Sequence, residues 1–360
     1  MDPNRSEPIT ALHPTQYEWL RRCPLHVALD QQRRATGGRR RKSDPQRMGD
    51  VVHDTMRRLV RSGALSGEDW RTAVDVSWNE AVAQEAARDP HSREPARWAD
   101  YEEKRQRTIR LASRVRTLIL EHGPGGFLAE EHLEGCGGRL KGIADLVIRT
   151  DTLRAVIDYK TGAVGSKDGH PVKGEYDRQL RLYAALEAET GGSRPELAAV
   201  YPLVGPVVEI DASADSCDQA AADALVALEA YNAAVPGPQQ ARPGPESCRR
   251  CDFAPACEAF WSATPVEGIT AAQGTATEVF MAGSGGVSVA LEQADSSLIE
   301  VLAIDPALHP VAAAVKPGDR VRLVGLLPKD EPGFYRLPAS GVMGVSPGRE
   351  MQLRSGWEGS

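Results

Sequence analysis

The stretch GRLKGIADLVIRTDTLRAVIDYKTG, residues 138–162, decides how this chain is read. Apolar Ile143, Leu146, Val147 and Ile148 precede a polar Thr150–Thr152 turn, and Leu153, Val156 and Ile157 follow it. Two β-strands joined by a short turn account for the pattern. Antiparallel pairing brings Asp145 close to Asp158, thirteen positions later. Two carboxylates are hard oxygen ligands, suited to one Mg²⁺ or Mn²⁺. Alternation along a strand points Lys160 the same way as Asp158 and turns Tyr159 away. A cation that polarises a phosphate, with an ammonium beside the attacking water, is what phosphodiester hydrolysis needs. A surface hairpin with scattered charges is the plainer alternative, and D-x-K by itself favours it.

Other motifs surround the hairpin. In chain order they are TQYEWLRRCPLHVAL (residues 15–29), His53 within GDVVHDTM, G-x-x-D at Gly142–Asp145, D-x-K-T-G at Asp158–Gly162 and Q-x-x-x-Y at Gln179–Tyr183. Together they resemble the core of the PD-(D/E)XK nucleases, specifically the RecB-like branch, over roughly residues 10–262. The resemblance implies an α/β, restriction-endonuclease-like core, a central mixed sheet flanked by helices. It implies that His53 adds a ligand to the metal held by Asp145 and Asp158. Gln179 and Tyr183, four apart and so on one helical face, take positioning roles at the active site; otherwise they are packing residues. The family often carries an acid on the strand before the hairpin. Glu130 and Glu131 stand there, alternation lets only one face the site, and Glu131 is the expected further metal ligand.

Four of the six cysteines form a pattern: Cys23 early, then Cys248-x₂-Cys251-x₅-Cys257. The opening MDPNRSEP is polar and lacks a secretory signal, so a reduced cytoplasm and free thiols are expected. Thiolates suit zinc or an iron–sulfur cluster, and spacing alone does not separate them. The resemblance favours the cluster: one early cysteine and a late C-x₂-C-x₅-C is the iron-staple arrangement of the AddB and CRISPR-adaptation exonuclease type, which holds [4Fe–4S]. Zinc is the alternative. Either metal would close a very long loop and stabilise the fold. Cys136 and Cys217 fall outside the pattern.

The formal charge of −7 is a poor guide to nucleic-acid binding, because binding depends on where the positive charge sits. Two segments are basic: QQRRATGGRRRK (residues 31–42), read as a Gly-rich loop, and KRQRTIRLASRVR (residues 104–116), read as an amphipathic helix. Phosphate contact is the functional reading of both, and a solvated surface the plainer one. No apolar run approaches a membrane span.

Helices are expected over residues 14–30, 48–62, 67–88, 94–122, 179–189 and 216–233, and strands over 127–134, 139–149, 153–159 and 198–204. After a Pro/Gly-rich linker and the cysteines, GTATEVFMA, VSVALEQ, LIEVLAI, DRVRLVGLL and FYRLPA alternate with turn residues and suggest a small OB-like β-barrel. The expected domains are 1–265, nuclease with the cysteine site; 266–344, β-barrel; and 345–360, a disordered tail. The barrel offers few aromatics (Phe280, Phe334, Tyr335), so single-strand binding and protein docking are equally open to it.

No P-loop motif appears, so no intrinsic motor is claimed, and no helix-turn-helix or zinc-finger signature offers sequence-specific reading. The expectation is a Mg²⁺- or Mn²⁺-dependent deoxyribonuclease, an exonuclease or structure-directed nuclease on DNA ends or single strands. Its setting would be repair, recombination or antiviral defence, with a helicase or defence protein as partner. The alternative is a non-catalytic or accessory DNA-binding subunit of a helicase–nuclease or defence complex.

Overall fold

The computed structural model describes residues 8–38, 42–88, 94–98, 100–166, 168–234, 237–249, 251–283 and 285–346. They divide into two compact units. One is Ile9–Glu18 with Asp44–Asn232; the other is Trp19–Ser43 with the described residues from Ala233 on. Helix α1 (Pro14–Arg22) begins in the first unit and ends in the second, and α2 (Pro24–Ala35) belongs to the second. Pro24 cannot donate within α1, so the helix expected over 14–30 is two helices parted at Cys23. Of the basic segment 31–42, residues 31–35 continue α2 rather than forming a loop.

The first unit holds α3 (Asp44–Arg61), α4 (Trp70–Ala87), α5 (Tyr101–His122), β1 (Phe127–Gly135), β2 (Leu140–Arg149), β3 (Arg154–Lys160), α6 (Gly174–Thr190), β4 (Leu197–Pro202), β5 (Val208–Ile210) and α7 (Ala214–Ala233). Helix α3 forms because Met48, Val51, Val52, Thr55, Met56, Leu59 and Val60 recur every three or four residues and are all buried. It starts with Pro45 in its first turn and stops before Gly63, whose φ of +69° ends the helical path. The sheet order is β1-β2-β3-β4-β5, antiparallel except for β3 and β4, which run parallel and are joined through α6. Against one face pack α3, α4 and α5, with Trp78 fully buried and its indole N–H donated to Tyr101 at 3.1 Å. Against the other lies α6: a Cβ on Gly135 would meet Leu186, and one on Gly142 would meet the Tyr183 ring.

The basic stretch 104–116 lies in α5, and most of its charge is engaged. Lys104 is buried, Arg105 pairs with Asp75 at 2.9 Å, Arg107 pairs with Glu103, and Arg114 donates to the carbonyls of Pro202 and Gly205. Arg116 lies over the Trp70 ring. These contacts favour the plainer reading of this helix.

In the second unit, α8 (Pro245–Cys248), which ends on the first of the late cysteines, and α9 (Glu258–Ala263), which follows the last, lead into β6 (Ala271–Met281), β7 (Val287–Glu292), β8 (Leu298–Ile304), β9 (Arg320–Val324), β10 (Leu327–Pro328), β11 (Phe334–Arg336) and β12 (Val342–Ser346). The order is β10-β11-β8-β7-β6-β9-β12, with β11 parallel to β8 and β12 antiparallel to β9. Were the sheet flat, β11 and β12 would stand about 24 Å apart at about 4.8 Å per strand. The short link between Arg336 and Val342 spans at most about 20 Å, so the sheet curls. The run DRVRLVGLL is two strands, broken at Gly325 with φ +84°. Strand β12 was not expected from the sequence. It is buried on both faces and so lacks alternation, and its Val345 and Ser346 fall where a disordered tail was expected. Residues 347–360 lie outside the described residues.

Candidate active site

Strand β3 and its neighbours assemble the candidate residues. The β2–β3 ladder pairs Leu146 with Ile157, and one step further in the same register faces Asp145 toward Asp158. Tyr159 is buried in the core, while Asp158 and Lys160 share the opposite direction and meet at 2.6 Å. Lys160 also donates to Gln179 Oε1 at 2.8 Å, and Gln179 Nε2 donates to the Tyr183 hydroxyl at 3.2 Å. The Tyr176 ring, one helical turn before Gln179, receives the ammonium at 4.5 Å from its centroid. From α3, His53 Nδ1 meets Asp145 Oδ1 at 2.9 Å, and Asp145 Oδ2 accepts the Tyr159 backbone N–H at 2.7 Å.

Two glycines make the assembly possible. A Cβ on Gly142 would come within 2.5 Å of the Tyr183 ring, and one on Gly49, a turn before His53 on α3, within 3.3 Å of Thr161 Oγ1. The helices reach the sheet at these points because no side chain intervenes.

Burial first, then Asp145, push the Asp158 carboxyl up to about 6, although Lys160 pulls the other way. Burial would lower the His53 imidazole, but Asp145 outweighs it and raises it to about 9. The same contact holds Asp145 below its ordinary value against the effect of burial. Lys160 is raised: burial works against its charge and Asp158 overrides it.

Two carboxylates and an imidazole suit Mg²⁺ or, because of the nitrogen donor, Mn²⁺. Asp158 Oδ2 is buried, and the Lys160 ammonium stands 2.6 Å from it. The side chains are bonded to one another rather than preformed as a cage: among the described residues, no three His, Cys, Asp or Glu side chains form a group able to hold a metal ion.

Glu131 is not brought to this group. It pairs at 3.0 Å with Arg149, which also grips buried Glu187 at 2.8 Å. The register that matches Ala129 with Leu146 and Glu131 with Ala144 sets Glu130 opposite Asp145. Glu130 has φ +50°, which interrupts the ladder, and it pairs with Arg57. Alternation lets only one of the two glutamates face the site, and the register that chooses between them is set by pairing with β2, which the sequence of β1 does not specify. Tyr176 was also missed, although its place three residues before Gln179 puts it on the same face of α6.

The four patterned cysteines all lie in the second unit and are free thiols. Cys23 caps α2, Cys248 ends α8, the Cys251 N–H bonds to the Cys248 carbonyl at 3.2 Å, and Cys257 caps α9. Burial pushes the Cys251 and Cys257 thiols up, and Cys23 and Cys248 act electrostatically on both. Buried His26 stacks on Trp19 and sets Nδ1 3.4 Å from Cys251 Sγ. Cys136 lies against Glu189, and Cys217 is buried on α7.

A family model described as the PD-(D/E)XK nuclease superfamily matches residues 11–258. The matched span contains His53, Asp145, Asp158, Lys160, Gln179, Tyr183 and the four patterned cysteines. No curated protein matches the chain.

Proposed function

The chain belongs to the PD-(D/E)XK nuclease superfamily, and from that premise we propose that it is a DNA nuclease of the RecB-like branch, cutting at ends or in single strands. Members of the superfamily are typically metal-dependent, using ions such as Mg²⁺ or Mn²⁺. The observation that carries the reading is Lys160, held between the Asp158 carboxylate and Gln179 on the side of β3 away from the core. In this reading Asp145, Asp158 and His53 would hold the divalent ion. The ion would supply Lewis-acid polarisation of the scissile phosphate. Lys160 keeps its proton and fixes the attacking water by donating to it. Gln179 and Tyr183 set the direction of the ammonium, and Tyr176 backs it.

Cys23, Cys248, Cys251 and Cys257 are proposed to bind a [4Fe–4S] cluster, with zinc as the alternative, supported by their spacing, their place in one unit and the electrostatic action of Cys23 and Cys248 on Cys251 and Cys257. The curled sheet is proposed as an OB-like barrel. Support comes from the β6-β7-β8 meander, the β6–β9 pairing, and a last segment that pairs with β8 in parallel and with β9 antiparallel. A helicase or defence protein is its proposed partner, and the cytoplasm the proposed location.

The test is to incubate the purified protein with end-labelled single- and double-stranded DNA, linear and circular, with Mg²⁺ or Mn²⁺. Metal-dependent shortening of linear DNA is expected. Cleavage by Asp158→Ala at the wild-type rate would refute the site.

A further inference from the structure

The catalytic face of α6 carries Tyr176, Gln179 and Tyr183, and Arg178, immediately before Gln179, faces elsewhere. Its guanidinium forms a two-pronged pair with Glu18 on α1: Nε donates to Oε1 at 2.7 Å and Nη2 to Oε2 at 2.8 Å, across 160 positions of sequence. Both residues belong to the first unit. The Glu18 side chain is only 12% exposed, so the carboxylate is largely removed from water and the paired geometry is well defined. Gly174, one turn earlier, leaves room for the guanidinium, since a Cβ there would stand 2.9 Å from Arg178 Nη1.

We infer that Glu18 and Arg178 form a latch that sets the rotation of α6 and so positions Lys160 for the reaction; the inference rests on the catalytic reading of Lys160. Two parallel hydrogen bonds resist both rotation and sliding of a helix, as a single bond or a lysine point charge does not. Tyr183 against Gly142 fixes α6 toward β2, and the Glu18 pair fixes it toward α1. Gln179 lies next to Arg178 in sequence and makes the 2.8 Å bond to Lys160. A small turn of the helix therefore lengthens the bond that orients the ammonium. Glu18 and Arg178 are positioning residues and touch no reacting atom.

The experiment compares wild type, Glu18→Gln, Arg178→Lys and the double reversal Glu18→Arg/Arg178→Glu in Mn²⁺-supported cleavage, with Asp158→Ala and Lys160→Ala alongside. The single variants should lose about tenfold to a hundredfold in kcat, with KM within about twofold, because displacement affects attack rather than substrate binding. The double reversal should recover most of the loss. A merely structural pair would lower the thermal midpoint and leave kcat per folded molecule unchanged, and that result overturns the latch. If Arg178→Lys does not fold, the double reversal decides: folded protein with near wild-type kcat supports the latch, and folded but slow protein overturns it. Active Asp158→Ala and Lys160→Ala would instead overturn the catalytic reading.

Discussion

Metal-free protein should draw part of its stability from the His53–Asp145 pair, and that part should disappear at alkaline pH. His53 keeps its proton up to about 9 in the folded chain, against an ordinary 6.5. Burial opposes this, and the carboxylate at 2.9 Å prevails. With a raised folded value, the stabilisation is complete below 6.5, shrinks as the pH rises, and is gone above about 9. The difference, 9 − 6.5 = 2.5, corresponds to about 3 kcal/mol at about 1.4 kcal/mol per tenfold. The His53 side chain is 31% exposed, and screening reduces this to about 2 kcal/mol. The depression of Asp145 is the same interaction seen from its partner and adds nothing further. Urea unfolding of chelator-treated wild type and His53→Asn at about pH 6 and about pH 9.5 measures the effect. The gap between the two proteins should be about 2 kcal/mol wider at the lower pH. An equal gap at both values would refute the ion pair. Cation binding requires the unprotonated imidazole, so Mn²⁺ affinity, read by titration calorimetry, should climb over the same range.

Asp158→Ala and Lys160→Ala should abolish cleavage while DNA affinity, measured by gel shift, largely survives, because phosphate contacts elsewhere supply most of it. His53→Ala should weaken the Mn²⁺-supported reaction more than the Mg²⁺-supported one; an unchanged metal preference would give His53 a structural role. Gly142→Ala should cost about 1–3 kcal/mol in urea unfolding through its clash with the Tyr183 ring, and adding Tyr183→Ala should return part of it. Anaerobically purified protein should be brown with about four irons per chain, and Cys23→Ser should lose them as completely as Cys251→Ser. One zinc and no iron would replace the cluster with the alternative, and metal retained in Cys23→Ser would remove that residue from the site.

Local signals in the sequence were sufficient for most of the first unit. The period of α3, the alternation around Thr150–Thr152 and the spacing of Gln179 and Tyr183 are all set by residues within a few positions of one another. The D-x-K motif likewise fixes the shared direction of Asp158 and Lys160, since a strand repeats every two residues. What alternation does not carry is a break in itself. The register of β1 against β2 decides which glutamate stands opposite Asp145, and neither that pairing nor the left-handed backbone of Glu130 is written in the local pattern. Strand β12 was hidden for a related reason: burial on both faces erases the contrast between inward and outward residues. The Arg105–Asp75 pair, the Glu18–Arg178 pair and the nearness of His26 to Cys251 join residues from 30 to 225 positions apart. Short-range periodicity specifies the elements and the faces they bury. Which charged side chain is left for a substrate, and which is already engaged by the protein, is decided only when those faces meet.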